Sequence, residues 1–255
     1  MLLAVDVGNT QTVIGLFDKD VLGRHWRIAT DKTSTSDELR VKLSNLLGFA
    51  GLGEDDVAGI ALASVVPGLT DAWTGLARQI GHDPVVVSAA LDLGLPIHYA
   101  QPSEIGADRL ADAVACIARH GAPAIVVDLG TATNFEVIDE QGAFLGGVIA
   151  PGFMTSANAL FDAAERLSRM EVETPEHVIG TSTRMAIQSG LVYGEVSRID
   201  GLVRRIESEL GYKATVVATG GLANRIAPLS DTIDAVDEDL TLWGLHHVYH
   251  RVRGC

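Results

Sequence analysis

The sequence predicts an α/β protein made of two similar halves that face each other across a central cleft. Buried, β-rich runs alternate with helical patterns along the chain, which predicts mostly parallel sheets covered by helices. The apolar runs at residues 2–5 and 124–127 both end in an acid, a glycine and a hydroxyl, and each leads into a hairpin. The repeat indicates two related halves with a phosphate chain between them.

The first acid-glycine motif is the stretch Asp-Val-Gly-Asn-Thr at residues 6–10. Its glycine lets the backbone approach a ligand, the N–H groups of such a turn attract an anion, and the aspartate can hold a metal ion. Acid and glycine after a strand are also ordinary turn residues. The second copy, with Asp128, Gly130 and Thr131, favours a nucleotide polyphosphate site.

The composition and charge of the chain exclude several classes of function. The chain has 255 residues, 47% of them hydrophobic, and a formal net charge of −14. That charge argues against a nucleic-acid surface, which needs clustered Lys and Arg. No segment approaches the roughly 18 apolar residues of a membrane span, and no signal peptide is expected. Two cysteines, Cys116 and Cys255, give no disulfide framework, so a cytoplasmic, reduced protein is expected.

The first half continues as strands and helices in alternation. Thr35 and Glu38 form a capping box before leucines at helical spacing. Strands are expected at residues 13–17, 26–30, 60–66 and 84–88. Helices are expected from the Thr35 cap to about residues 48–53 and from about residue 70 to residue 80. A hydroxyl-rich loop at residues 30–36 joins the first hairpin to the first helix.

A loop at residues 95–105 leads to Asp108 and Arg109 in the first turn of the next helix. An aspartate is favoured there by the helix dipole, but an arginine is not. One interpretation is an ordinary helix start with a solvated arginine. The other makes Asp108 a general base and Arg109 a clamp for a carboxylate or phosphate.

The second half repeats the alternation. Strands are expected at residues 135–138, 144–150 and 214–218, and helices at 154–168, at 181–210 as one helix or two, and from about 240 to the end. Thr219-Gly220-Gly221 forms another strand-to-helix corner, where bare backbone can contact a ligand or simply make a tight turn.

These motifs resemble those of a known superfamily. Residues 6–10, 128–131 and 219–221 are similar to the two phosphate motifs and the adenosine motif of the acetate kinase, sugar kinase, Hsp70 and actin superfamily. Within it, the chain most resembles the type III pantothenate kinases. The further signals are Gly-Ala-Asp-Arg at 106–109, Ser-Val-Val-Pro at 64–67, residues 145–152 and 180–190, and Leu-Thr-Leu-Trp-Gly at 240–244.

The resemblance implies two ribonuclease H-like domains, at residues 1–115 and 116–255, and ATP-dependent phosphorylation of pantothenate with Asp108 as proton acceptor. It implies Mg²⁺ with ATP, a monovalent cation (potassium or ammonium) on Asp128, and a homodimer. The implied ATP-binding residues are Asp6, Val7, Gly8, Asn9, Thr10, Gln11, Thr12, Val13 and Thr131. The implied pantothenate contacts are Tyr99, Gly106, Ala107, Asp108, Arg109 and Thr183.

Three positions depart from the family pattern. Gln11, Asn134 and Ser182 stand where the family more often has Asn, Thr and Asn. Each keeps a side chain that forms hydrogen bonds, so no required charge is lost. Two alternatives stay open: a catalytically weak homologue that acts as an accessory transcription regulator, and a kinase of the same superfamily that acts on another small molecule, such as a sugar.

Overall fold

The computed structural model describes residues 1–163 and 171–254, which form two compact units. The first unit contains residues 1–118 and 240–255, and the second contains residues 119–239. The sequence predicts two duplicated domains that meet at residue 115, and this boundary stays a prediction. The last helix belongs to the first compact unit, although the predicted boundary places it in the second domain.

The first unit contains one sheet of five strands within the described residues, in the order β3-β2-β1-β4-β5. Strands β1, β2 and β3 pair antiparallel, and β4 and β5 run parallel to β1. The strands are β1 (Leu2–Val7), β2 (Gln11–Asp18), β3 (Val21–Ala29), β4 (Gly59–Ser64) and β5 (Val85–Val86), and the helices that follow them are α1 (Ser36–Phe49), α2 (Pro67–Gln79) and α3 (Ala107–His120).

Helices α1 and α2 cover one face of this sheet. Leu3, Val5 and Val7 of β1 join them in a buried core that includes the fully buried side chain of Trp73. The predicted capping box of Thr35 and Glu38 starts α1 and is confirmed.

Three predicted boundaries in the first unit were wrong. Helix α2 begins at Pro67 rather than residue 70, because proline is well suited to the first position of a helix. Strand β3 begins at Val21 rather than residue 26, since the hairpin with β2 continues to the turn. Strand β5 is only two residues long, because its pairing with β4 covers Ala61 and Leu62 alone.

The second unit repeats the topology of the first. Its described strands form a second sheet in the order β10-β9-β6-β7-β8, which is the first order read from the other edge. An antiparallel meander is again followed by parallel strands. The strands are β6 (Ala124–Leu129), β7 (Ala132–Ile138), β8 (Phe144–Pro151), β9 (Thr215–Thr219) and β10 (Ala235–Val236), and the helices are α4 (Phe153–Ala163), α5 (Thr183–Leu210) and α6 (Ala223–Ile226). The predicted duplication is confirmed.

Helix α5 runs without a break over 28 residues, so the one-helix alternative is correct. Ser182 caps it by accepting a hydrogen bond from Met185 N. The described part of α4 ends at Ala163, and residues 164–168 of the predicted helix lie outside the described residues, as does Cys255.

The chain ends with helix α7 (Leu240–Arg253), which packs on the first sheet and on α3. A Cβ atom on Gly244 would lie 2.0 Å from Ala111 O, so only glycine permits this approach of α7 to α3. Thr241 donates a hydrogen bond to the buried carboxylate of Asp112 at 2.7 Å. Helix α3, whose first turn carries Asp108, is therefore held by α7.

Candidate active site

The first predicted phosphate loop is the turn between β1 and β2. Gly8 N donates to Gln11 O at 3.0 Å, and a Cβ atom on Gly8 would lie 2.9 Å from the same oxygen. Asn9, Thr10 and Gln11 are exposed, whereas the Asp6 carboxylate is half-buried at the strand end. The loop thus combines three exposed residues with a half-buried carboxylate at the preceding strand end, and its role in ATP binding stays a prediction.

A threonine outside this motif braces the loop. Thr30, just after β3, donates from its backbone N to Thr10 O at 3.0 Å and from its hydroxyl to Gly8 O at 2.9 Å. The same hydroxyl lies 2.9 Å from that of Thr12. Since the Thr30 hydroxyl donates to Gly8, it accepts from Thr12, and both strands flanking the loop are tied together. Sequence reasoning missed this role, although it noted the hydroxyl-rich loop that begins there.

Asp108 and Arg109 occupy the first turn of α3, as predicted. The Asp108 side chain is half-buried, and its Oδ1 atom accepts a hydrogen bond from Arg109 N at 2.8 Å. Burial raises the pKa of the Asp108 carboxyl, although hydrogen bonds from backbone N–H groups and the charge of Arg109 oppose the rise. A raised pKa is common for carboxylates that act as general bases, and that role of Asp108 stays a prediction.

Arg109 is 7% exposed, so the interpretation of a solvated arginine was wrong. The burial of α3 differs along its length. Leu110 and Cys116 are fully buried, but Ala118 is exposed, because α7 also covers this helix.

The residues after β4 connect the first phosphate loop with the turn that carries Asp108. Val65 N donates to Val7 O at 3.1 Å, so this segment extends the pairing of β4 with β1 to the start of the loop. A Cβ atom on Gly106 would lie 3.7 Å from Val65 Cγ1 and 2.4 Å from Asp108 Oδ1. The Ser-Val-Val-Pro signature at residues 64–67 therefore lies beside both the start of the loop and the Gly106 turn that precedes Asp108.

The second predicted phosphate loop follows β6 in the second unit. Gly130 N donates to Ala132 O at 3.0 Å, which closes a turn like that at Gly8. Thr131 is exposed, and its carbonyl oxygen accepts from Gly152 N at 3.1 Å and from the Thr155 hydroxyl at 2.6 Å. The corner between β8 and α4 therefore fixes this loop.

The Gly220 corner lies against Asp128. Gly220 has a φ of 87°, a conformation that favours glycine, and a Cβ atom there would lie 2.5 Å from Asp128 Oδ1. Asp128 and Thr219 are direct partners in the pairing of β6 with β9. The structure thus brings together two motifs that are about 90 residues apart in the sequence.

A buried charged pair behind the second loop was not predicted. The Thr133 hydroxyl donates to Glu195 Oε1 at 2.7 Å, and Glu195 also pairs with Arg198. Arg198 donates to Pro151 O at 2.7 Å. The start of β7 and the end of β8 are therefore both tied to α5. The sequence offered no signal, because a Glu and an Arg three apart on a helix usually lie on its solvated face.

The remaining predicted substrate contacts lie apart from the Asp108 turn in sequence. Tyr99 is partly exposed in the loop before α3, and Thr183 is exposed at the first position of α5. Thr183 borders a groove of about 430 Å³ that is also lined by Leu160, Ala186, Ile187, Gly190 and Leu191. Two residues that depart from the family pattern form local hydrogen bonds. Ser182 caps α5, and the Gln11 side chain accepts a hydrogen bond from Arg27 at 3.3 Å.

The atoms that could bind a metal ion at the two loops are oxygen atoms. Asp6 and Asp128 each supply a half-buried carboxylate at a strand end, next to turn carbonyls. Within residues 1–163 and 171–254, no group of three or more His, Cys, Asp or Glu side chains could hold a metal ion. Each carboxylate by itself fits Mg²⁺, which is commonly held by one or two carboxylates together with nucleotide phosphates. In the same part of the chain, no helix is long and apolar enough to cross a membrane.

Comparison with known proteins identifies one family. The family profile described as type III pantothenate kinase matches residues 2–205. A type III pantothenate kinase from Moorella thermoacetica is 46% identical over 98% of this chain and 99% of the relative. One from Syntrophotalea carbinolica is 47% identical over the whole of both chains.

Solved structures support the fold. A Campylobacter jejuni protein described as a Baf family transcriptional activator has a TM-score of 0.63 at 19% identity, covering 99% of this chain and all of the other. The activator of 2-hydroxyisocaproyl-CoA dehydratase from Clostridium difficile, with bound ADPNP, has a TM-score of 0.54 at 14% identity, covering 99% and 96%. At such identities the likeness concerns the fold alone. It agrees with the predicted duplicated, actin-like architecture.

Proposed function

This chain belongs to the type III pantothenate kinase family, and we propose that it transfers the γ-phosphoryl group of ATP to pantothenate with Asp108 as general base. The product is 4′-phosphopantothenate, and the reaction is the first step of coenzyme A synthesis. The observation that carries the role of Asp108 is its half-buried carboxylate, whose pKa burial raises, in a turn that lies beside Val65, the residue that pairs with Val7 at the start of the first loop.

Asp108 accepts the proton of the primary hydroxyl as that oxygen attacks the γ-phosphorus. The new O–P bond forms while the bond from phosphorus to the β-phosphate oxygen breaks, and ADP leaves. Phosphoryl transfer needs little covalent help from the protein, so positioning and charge neutralisation supply most of the rate. The hydrogen bond from Arg109 N fixes the Asp108 carboxylate for this role.

ATP binds through the loop at residues 6–13 and through Thr131. The exposed backbone of Asn9, Thr10 and Gln11 suits phosphate oxygens, since successive N–H groups in a tight turn form an anion-binding concavity. Bound Mg²⁺ neutralises phosphate charge, and Asp6 is the carboxylate that would hold it at the first loop. Asp128 would hold a monovalent cation, potassium or ammonium, against the Gly220 corner.

Pantothenate carries a carboxylate at one end and the reactive hydroxyl at the other. Arg109 offers a planar pair of donors that matches a carboxylate. We assign the pantothenate contacts to Tyr99, residues 106–109 and Thr183, as the family resemblance implies. Burial of the Arg109 side chain supports this assignment, because a desolvated guanidinium binds an anion more strongly than an exposed one.

We also propose a homodimer in the cytoplasm, where ATP is available. The second unit exposes large apolar side chains in the groove at Thr183 and in the segment that precedes α5. Leu160, which lines the groove, is 40% exposed, and Val178 and Ile179 of the segment are 66% and 82% exposed. Exposed apolar surface of this kind marks protein interfaces. The monomer–dimer equilibrium of an Ile179→Asp variant, measured by sedimentation, tests the assignment, and an unchanged dimer would contradict it.

The comparisons do not support the regulator alternative, since the relatives that cover the whole chain are named as kinases. The proposed function is tested by ADP release with purified protein, Mg-ATP and pantothenate. Release that requires pantothenate supports the assignment, and release with a sugar but not with pantothenate would favour the other kinase class.

A further inference from the structure

We propose that Lys32, which belongs to none of the family motifs, is a phosphate ligand of the first loop. This inference rests on the proposed function, because it assumes that the turn at residues 8–10 binds the phosphates of ATP. The Lys32 ammonium donates to Asn9 Oδ1 at 3.0 Å. Asn9 is the central exposed residue of that turn, so the positive charge lies where a phosphate chain would bind.

The position of Lys32 is set by the anchor at Thr30. Two residues before Lys32, Thr30 donates hydrogen bonds to both Gly8 O and Thr10 O. The lysine backbone therefore starts from a point that is fixed to the phosphate loop itself. Because these hydrogen bonds join the residues after β3 to the loop at residues 8–10, the Lys32 ammonium is held within reach of that loop.

Further hydrogen bonds fix the conformation of residues 31–35, the segment that contains Lys32. Asp31 accepts hydrogen bonds from the backbone N and the hydroxyl of Thr33 at 3.0 and 2.7 Å, which forms a local turn. Ser34 N donates to Asp31 O at 3.1 Å, and the capping box of Thr35 follows. Lys32 thus projects from a turn with hydrogen bonds on both sides, which reduces the conformational freedom lost on binding.

Electrostatics favour a ligand role over a merely solvated lysine. The protein has a formal net charge of −14, and Asp6 places a carboxylate at the base of the loop, so an incoming polyphosphate meets an unfavourable field. A lysine ammonium has three donors. One donor contacts Asn9, and the other two can bind phosphate oxygens, as lysines do in other phosphate loops.

The test compares Lys32→Gln with Lys32→Arg, and uses Lys19→Gln as the matched control. Lys19 is an exposed lysine in the turn at the opposite end of the β2–β3 hairpin. Binding of adenosine and of a non-hydrolysable ATP analogue is measured by calorimetry, and KM values for Mg-ATP and pantothenate by ADP release.

We expect Lys32→Gln to weaken binding of the ATP analogue and raise the KM for Mg-ATP by about 10- to 100-fold, as for loss of a hydrogen bond between charged groups. Adenosine binding and the KM for pantothenate should stay within about twofold. Lys32→Arg should retain most of the affinity, and Lys19→Gln should behave as the wild type.

Equal affinity of wild-type and Lys32→Gln protein for the ATP analogue would overturn the role of Lys32. An equal loss of adenosine affinity would also overturn it, because the effect would then not concern phosphate. These results are distinct from failure of the proposed function, in which the wild-type protein itself releases no ADP in response to pantothenate.

Discussion

Replacement of Asp108 by Asn separates its role in catalysis from its effect on stability. Asparagine keeps an Oδ1 atom that can accept the hydrogen bond from Arg109 N, but it cannot accept a proton at neutral pH. Loss of a general base lowers turnover by about 10²- to 10⁴-fold. Binding of an ATP analogue should be unchanged, because the substitution removes no contact to the phosphate loop.

Asp108→Asn should lower turnover but should not lower the stability of the folded protein. Because burial raises the pKa of the Asp108 carboxyl, the folded protein binds a proton more tightly there than the unfolded chain does. Between the ordinary pKa of aspartate and the raised value, stability therefore falls as pH rises, and the full cost is present above the raised pKa. Asp108→Asn removes that cost, so its melting temperature at pH 7.5 should equal or exceed that of the wild type.

The assay combines kcat/KM for pantothenate across pH with thermal unfolding. Activity of the wild type should fall as pH drops through the raised pKa of Asp108, since the base must be deprotonated. The control is Asp71→Asn, an exposed carboxylate on α2, which should leave both quantities unchanged. Unchanged turnover of Asp108→Asn, or lost activity with a clearly lower melting temperature, would refute the reasoning.

Three further predictions follow from close contacts. Gly106→Ala should lower kcat by about 10- to 100-fold, because its Cβ atom would displace the Asp108 carboxylate; ADP release and calorimetry with the ATP analogue check this. Gly220→Ala should destabilise the protein by about 1–3 kcal/mol through its positive φ, and raise the potassium concentration needed for half-maximal activity by displacing Asp128. Asp200→Asn should cost about 1–3 kcal/mol at pH 7 in urea unfolding, because its buried carboxylate accepts three hydrogen bonds.

The Asp200 prediction has a definite pH dependence. Burial alone would raise the pKa of Asp200, but hydrogen bonds from Ser230, Thr232 and the Asp231 backbone, together with Arg204, lower it overall. Its contribution to stability is therefore present above the ordinary aspartate pKa and is lost as pH falls through the lowered value. A stability gap between wild type and variant that does not narrow in acid would contradict this account.

The glycine predictions share one control. Gly194 is an exposed helical glycine of α5, and a Cβ atom added there would meet no atom within 4 Å. Gly194→Ala should stabilise the protein by up to about 1 kcal/mol, because alanine has the higher helix propensity. If Gly106→Ala or Gly220→Ala behaved like this control in both activity and stability, the contacts assigned to these corners would be wrong.

The elements predicted most accurately had a local physical signature. The apolar runs that end at Asp6 and Asp128 predicted two strands, their hairpins and the duplication, because buried strands and turn chemistry are local properties. The capping box at Thr35 likewise located the start of α1 to the residue.

Features that depend on distant partners could not be predicted. Nothing near Asp108 in the sequence shows that α7 covers its helix, so Arg109 was equally compatible with solvent. The buried carboxylate of Asp237 pairs with Arg119 at 2.7 Å, about 120 positions away in the sequence. Thr30 and Glu195 act through hydrogen bonds to residues 20 to 60 positions away, which no spacing rule reveals.

The most direct test of the central claim is ADP release by the wild-type protein with Mg-ATP, with and without pantothenate, in potassium and in sodium salts. The account predicts release that requires pantothenate and rises with potassium. No pantothenate-dependent release from folded protein in either salt would contradict the assignment of this chain as an active pantothenate kinase.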